Sequence, residues 1–471
     1  MKFYKTFLLF AILLGFLSCS NNEETPKDVE INAFIWKGLN AYYLWRENVT
    51  DLSDRRFSSE QQLYNYLSDF NDPNKMFDHL LYQKKIKDKW SWIVDDYIAL
   101  EESFQGITQT TGMEYGLVKY RGGASNLFGY VRYVVPGTDA ASKGITRGMI
   151  FNKVNGIQLT NHNYRSLLFS EDPSFTITLS NYNSGNPTAT DNFITLEKNR
   201  YTENPIHIFK TLEIDGHRIG YLMYNGFSSN FDNQLNQVFA QFKSEGVTEL
   251  IVDLRYNNGG SVRSATRLAS MITGQFTGEV FAKQLWNQKY MSIVKPEYLI
   301  DRFTSEVDNN IPINNLNLTK VYFITTANSA SASELIINCL DPYISVHTVG
   351  TKTRGKYVGS ITLYDSPNFY SKKNINPHHN WAMQPVVFES VNSNNKNQKD
   401  GIFPSIEMPE NYGNLGDLGT ENEPLLKRTI RLITNKLGST KNSNLPSEYE
   451  VVGDSKSNTP TYNNMYITLN E

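Results

Sequence analysis

The chain has 471 residues, a formal net charge of −3, 39% hydrophobic residues and 20% charged residues. That length holds about two to four domains, and the composition suits globular units with ordinary cores. The charge carries no footprint for nucleic acid or an anionic membrane surface. Two cysteines and seven histidines leave little for a disulfide framework or a transition-metal cage.

Lys2 and Lys5 precede an unbroken apolar run over residues 7–17, which ends in Leu17-Ser18-Cys19-Ser20. A positive start followed by a short apolar run fits a secretory signal over residues 1–18 and is too short to span a bilayer. A cysteine directly after that run resembles a bacterial lipoprotein signal, with Phe16 where a leucine is usual. The resemblance implies lipidation of Cys19 and anchoring to a lipid bilayer. It places the exported protein in the bacterial cell envelope, on a periplasmic or surface face. Residues 19–30 would be a polar tether. Cys339 then has no disulfide partner, and its spacing with Leu335, Ile336 and Leu340 reads as a small buried hydrophobe.

From residue 31, apolar positions recur at helical spacing, with Ile31, Phe34, Ile35, Leu39 and Tyr42 first and Leu63, Tyr66 and Leu67 next. A third helix is expected over residues 89–104, with Trp90, Ile93 and Tyr97 on one face. Asp72-Pro73-Asn74 reads as a turn between helices. Residues 31–107 therefore read as a helical N-terminal domain that names no chemistry.

Short strands and turns follow over residues 113–200. The stretch 129–159 carries Pro136, Ala140-Ala141, Gly144-Ile145, Gly148 and Val154-Asn155-Gly156 before Leu159. It resembles a PDZ domain, with Met149 where an aspartate commonly follows the glycine. Residues 108–200 are expected to be PDZ-like and β-rich. The resemblance implies binding of an extended peptide at a sheet edge, its carboxylate held by a turn of backbone N–H groups. Tyr115, Gly116, Leu117 and Val118 stand where that turn is expected.

From about residue 205 strands alternate with helices: a strand over 218–223, an amphipathic helix over 230–245, and apolar strands over 250–252 and 321–325. That alternation indicates an α/β layer architecture. Residues 438–471 are rich in Ser, Asn, Thr and Pro and read as a mostly disordered tail.

Between two of these elements lies Ala327-Asn328-Ser329-Ala330-Ser331-Ala332-Ser333-Glu334. A serine at a strand-to-helix turn presents its hydroxyl at the mouth of the fold, where the helix N-terminus favours developing negative charge. The bland alternative is that these serines only cap the helix. The glycine pair in Asn257-Asn258-Gly259-Gly260, after a buried strand, allows close approach of a ligand to the backbone. For a base, His347 lies in a strand and reads as packed, whereas Lys356 follows Gly355 in a loop. A lysine serves as base only when burial lowers its pKa from about 10.4 toward neutrality. The Gly350…Gly355-Lys356 spacing also approaches a phosphate-binding loop, but Tyr357 replaces the required Ser or Thr and a strand follows.

Asp253-Leu254-Arg255-Tyr256-Asn257-Asn258-Gly259-Gly260, Ser331-Ala332-Ser333-Glu334 and Gly355-Lys356, in that order, resemble the C-terminal processing, or tail-specific, serine peptidases. In that family the first serine of Ser-Ala-Ser-Glu is the nucleophile and a lysine 25 residues later is the base, the distance from Ser331 to Lys356. The resemblance implies a multidomain α/β protein with a helical N-terminal cap, a PDZ-like domain and a crotonase-like catalytic domain over residues 205–437. It implies an oxyanion site from the N–H groups of Ala332 and of Gly259 or Gly260. Many members carry a glutamine four residues after the lysine, where Ser360 stands here as the candidate orienter of the amine. The expected function is a serine endopeptidase with a Ser-Lys dyad, cutting exported or envelope polypeptides near their C-termini, with no metal or organic cofactor. The competing reading is a non-enzymatic lipoprotein that binds peptides through the PDZ-like module and an inactive peptidase fold.

Overall fold

The computed structural model describes residues 25–123, 125–308, 310–436 and 449–469. Its centre is a six-stranded sheet, in the order Ile206–Ile214, His217–Tyr224, Glu249–Asp253, Lys320–Thr325, Ser345–Gly350, Ile406–Glu407. The first pair is an antiparallel hairpin and every later pairing is parallel. Side chains alternate across a strand, and here both faces are covered. Leu250, Val252, Val321 and Phe323 pack against the helices Asp232–Ser244, Val262–Thr273 and Ala332–Leu340. Ile251, Tyr322, Ile324 and Val349 pack against Leu425, Leu426 and Ile430 of the helix Pro424–Ile433. Two covered faces explain why these strands read as unbroken apolar runs.

A second six-stranded sheet lies beside it, in the order Gly260–Ser261, Met465–Tyr466, Val358–Ser360, Val386–Asn392, Val280–Trp286, Ile300–Arg302. A seven-stranded sheet is built mainly from residues 113–197 and has its own core, including Leu117, Val131, Phe151, Ile177 and Leu196. At its edge stands Val451–Asp454, paired antiparallel with Met113–Lys119.

The N-terminal helices Glu30–Tyr42 and Glu60–Ser68 form as their spacing predicts, burying Phe34, Ile35, Leu39, Leu63 and Leu67. Those side chains belong to the same continuous core as the central sheet. Asp72 is the N-cap of a helix Pro73–His79 rather than part of a plain turn, its Oδ1 accepting from the Asn74 N–H.

Three expectations fail here. Residues 89–104 are not one helix: Trp92–Val94 is a strand paired with Ala382–Gln384, and only Tyr97–Phe104 is helical. Asp96 decides the break, since its carboxylate accepts from the Ile98 and Ala99 N–H groups and starts the helix there. The segment 438–471 is not mostly disordered over its described part, because residues 449–469 supply strands to two sheets. Polar composition suggested solvent, but the backbone of this segment is satisfied by sheet edges far away in sequence. The tether over 19–30 also ends early, since Val29 is buried and the first helix starts at Glu30.

Candidate active site

The strand Lys320–Thr325 delivers the chain into the serine stretch, and the helix Ala332–Leu340 leaves it. The three serines then separate by their partners. Ser329 Oγ donates to the Leu254 carbonyl at 2.8 Å, and Ser333 Oγ donates to the Asn257 carbonyl at 2.9 Å. Both tie the turn to the 253–261 loop. Ser331 Oγ is buried and donates to no acceptor among the described residues, its oxygen facing the Glu334 N–H of the first helical turn in a capping box. Ser331 also holds φ +65°, ψ −115°, a conformation that costs about 1–3 kcal/mol for a residue with a side chain. Its free hydroxyl sits at the helix N-terminus, where first-turn N–H groups, Ala332's included, have no partner within the helix.

Glu334 holds that conformation in place. Its buried carboxylate accepts from the N–H of Ser331 (2.8 Å), Gly355 (2.5 Å) and Lys356 (2.9 Å), and from Thr353 Oγ1 (2.6 Å). One side chain thus joins the serine turn to the lysine loop. The sequence placed Glu334 within a motif but gave it no role. Its position three residues after a helix N-cap was the available signal.

Lys356 is 2% exposed. Burial pushes its amine down to about 7, against the opposing pull of the Asp88 and Glu334 carboxylates. Its Nζ lies 5.4 Å from the centre of the Trp90 ring. Ser331 and Lys356 line one narrow cavity together with Glu334, Leu335 and Met465. Trp90 and Asp88 come from the N-terminal region, so that region does contribute to the chemistry. Asp88 is fixed there by the Tyr43 hydroxyl at 2.8 Å and by the N–H groups of Trp90 and Ser91.

The glycine loop is anchored by Arg255, fully buried between Asp253 and Glu423 with charge-assisted bonds of 2.7–3.0 Å. Tyr256 is buried between Arg132 and Arg147, and Arg147 Nη1 donates to its hydroxyl at 2.8 Å. The two glycine N–H groups point differently. Gly259 donates to its neighbour Asn257 Oδ1 at 2.8 Å, whereas Gly260 donates outward to the Asn464 carbonyl at 2.6 Å. A Cβ on Gly259 would stand 2.6 Å from the Ser331 Cβ, so only glycine lets the loop approach the serine.

Two sequence assignments change, and that of His347 as a packed strand residue holds. Ser360 Oγ is buried without a hydrogen-bond partner among the described residues and so does not orient Lys356. Tyr115, Gly116, Leu117 and Val118 form no carboxylate-holding turn, because they lie within the strand Met113–Lys119, paired on both sides. His347 is a sheet residue stacked on Tyr322 at 5.2 Å. Cys339 is buried and free, and Cys19 lies outside the described residues. Among the described residues no group of His, Cys, Asp and Glu could hold a metal ion, and no helix is long and apolar enough to cross a membrane.

Comparison with known proteins bears on this arrangement. Residues 218–407 match the family described as Peptidase family S41, and residues 30–92 match the Peptidase S41 N-terminal domain. The chain belongs to peptidase family S41. The S41 chain is 25% identical over 158 residues to a "Probable CtpA-like serine protease" of Staphylococcus saprophyticus, covering 33% of this chain and 29% of that protein. It is 24% identical over 235 residues to a "Carboxyl-terminal-processing protease" of Picosynechococcus, covering 49% of each. The chain therefore spans half or less of these relatives' length. A crystal structure of a "Putative S41 protease" from Bacteroides fragilis shares the fold, with a TM-score of 0.65 and 23% identity over 85% of this chain and 97% of that one. The match to the N-terminal domain ends at residue 92, so it includes Asp88 and Trp90, whose influence on Lys356 the sequence did not disclose.

Proposed function

We propose that this S41 protein is a serine endopeptidase in which Ser331 is the nucleophile and Lys356 the general base. The observation that carries the reading is the separation of the three serines: two are consumed as donors, and the third stands free beside a buried lysine. Ser331 Oγ attacks a peptide carbonyl as its proton passes to the neutral Lys356 Nζ, forming a C–O bond and an oxyanion. The Ala332 N–H, with the Gly260 N–H once the Asn464 carbonyl leaves it, receives that oxyanion. The ammonium then returns its proton to the leaving nitrogen as the C–N bond breaks. Water, deprotonated in turn by Lys356, releases the acyl group from Ser331. Every step needs only groups of this chain and water.

The residue 113–197 sheet supports a PDZ-like role in presenting peptide, and the central sheet with its helices supports a crotonase-like catalytic core. Substrates would be exported or envelope polypeptides, engaged near their C-termini, by an enzyme anchored through lipid on Cys19. The family relationship and the intact Ser331 and Lys356 weigh against a purely binding protein. The test is cleavage of a fluorogenic peptide, with labelling by a serine-reactive probe. Ser331→Ala should lower kcat by at least about 10⁴-fold and abolish labelling with the fold intact. Equal turnover in wild type and Ser331→Ala would defeat the proposal. Cys19→Ser should move the protein from membrane to soluble fractions, and unchanged fractionation would defeat the anchoring.

A further inference from the structure

The peptidase mechanism makes no use of residues 449–469, yet this segment runs through both places a peptide would occupy. At one end Val451–Asp454 adds antiparallel to the edge strand Met113–Lys119, the pairing by which extended peptides join a sheet. At the other, the Asn464 carbonyl takes the Gly260 N–H at 2.6 Å, and Met465, 1% exposed, lines the cavity of Ser331 and Lys356. The Ile467 N–H donates to the Ser360 carbonyl at 3.2 Å.

We propose that residues 449–469 are an intramolecular peptide ligand that holds the sheet edge and the cleft closed to other chains. The proposal rests on the peptidase reading of the cleft and adds its regulation. The docking is built by charge as well as by strand pairing. Asp454 pairs with Arg132 at 3.0 Å, with both side chains buried, and Lys456 pairs with Glu203 at 2.8 Å while donating to the Tyr133 hydroxyl. Ser455 Oγ donates to Glu114 at 2.5 Å. Burial alone would lower the Lys456 amine, but Glu203 and its neighbours outweigh it and hold the amine charged. The partners on the receiving side, Arg132, Glu203 and Glu114, belong to the body of the protein, so the body carries a prepared site for this sequence.

A segment bound in this way competes with substrate. If the open form is about one part in ten, the apparent affinity for an outside peptide falls about tenfold while kcat is unaffected. Two full-length variants loosen opposite ends: Asp454→Lys with Lys456→Glu at the sheet, and Ile467→Pro beside the cleft, which removes the N–H that the Ser360 carbonyl accepts. Each should raise kcat/KM on a fluorogenic peptide severalfold, up to about tenfold, through KM, and a synthetic peptide of residues 449–469 added to the double variant should restore inhibition. Unchanged kcat/KM in both variants, alongside Ser331-dependent cleavage by the wild type, would overturn the proposal and leave the peptidase reading standing. If no chain shows Ser331-dependent cleavage, the peptidase reading fails instead. Hydrogen exchange at residues 451–454 then decides for the segment, and equal protection in wild type and double variant would overturn docking. A wild-type chain that purifies trimmed within 449–469 while Ser331→Ala stays whole would also overturn it, since the segment would then be a substrate.

Discussion

As the proposed base, Lys356 must be neutral to accept the Ser331 proton, so on that mechanism activity should follow the titration of this one amine. With its pKa at about 7, the neutral fraction is about one tenth at pH 6, one half at pH 7 and nine tenths at pH 8. An ordinary lysine would be neutral only about once in three thousand at pH 7. The kcat/KM profile should therefore rise about tenfold per pH unit below 7 and level off above pH 8. Asp88→Asn removes the carboxylate that most opposes the fall of this pKa, so its profile should rise at lower pH than that of the wild type. Lys356→Arg keeps the charge and cannot shed a proton in any usable range, so it should be inactive at every pH. The assay is initial rate on a fluorogenic peptide from pH 5.5 to 9, with circular dichroism at each pH to exclude unfolding. Substantial turnover by Lys356→Arg, or a wild-type profile flat across that range, would refute the reasoning.

Other consequences concern stability and position. The Lys356 pKa is lower folded (about 7) than unfolded (10.5), so the unfolded chain holds more protons between these values and stability should rise with pH through that window. Lys356→Met removes the penalty and should stabilise the protein at pH 7 by on the order of 4 kcal/mol, with far less gain at pH 10.5, read as Tm against pH; equal gains at both pH values would contradict it. Glu334→Gln replaces a four-bond acceptor with an amide whose nitrogen faces donors, and should cost about 2–4 kcal/mol and lower kcat more than KM. Ser329→Ala should keep measurable turnover while losing about 1–3 kcal/mol, because it removes the buried bond to the Leu254 carbonyl and leaves the Thr326 N–H without its acceptor. Loss of turnover comparable to Ser331→Ala would show that the catalytic serine is misassigned.

What the sequence disclosed was local. The apolar strands, the helix after Ser331 and the glycine pair all declare themselves within a few residues, and their order along the chain carries the family resemblance. Contacts closed over long sequence distances were hidden. Residues 89–104 look helical until Asp96 caps a later start and Ala382–Gln384 offers Trp92–Val94 a partner. That Tyr115–Val118 is paired on both sides could not be recognised without Val451–Asp454, more than three hundred residues on. The partners of the Gly259 and Gly260 N–H groups, Asn257 Oδ1 and the Asn464 carbonyl, are hydrogen bonds that no motif encodes. Ser360 shows the opposite error, where a family position suggested a role that the side chain does not perform.

The N-terminal helices and the central sheet share one core, and Trp90 and Asp88 reach Lys356 from that region. The dryness of the catalytic amine is therefore a property of two regions together. An excised catalytic region would keep Ser331, Gly260 and Lys356, yet water reaching the lysine would return its proton and silence it. On the proposed mechanism, a chain whose N-terminal helices have not docked would carry every reacting atom around a charged lysine and would be held back from cutting its neighbours until it was assembled.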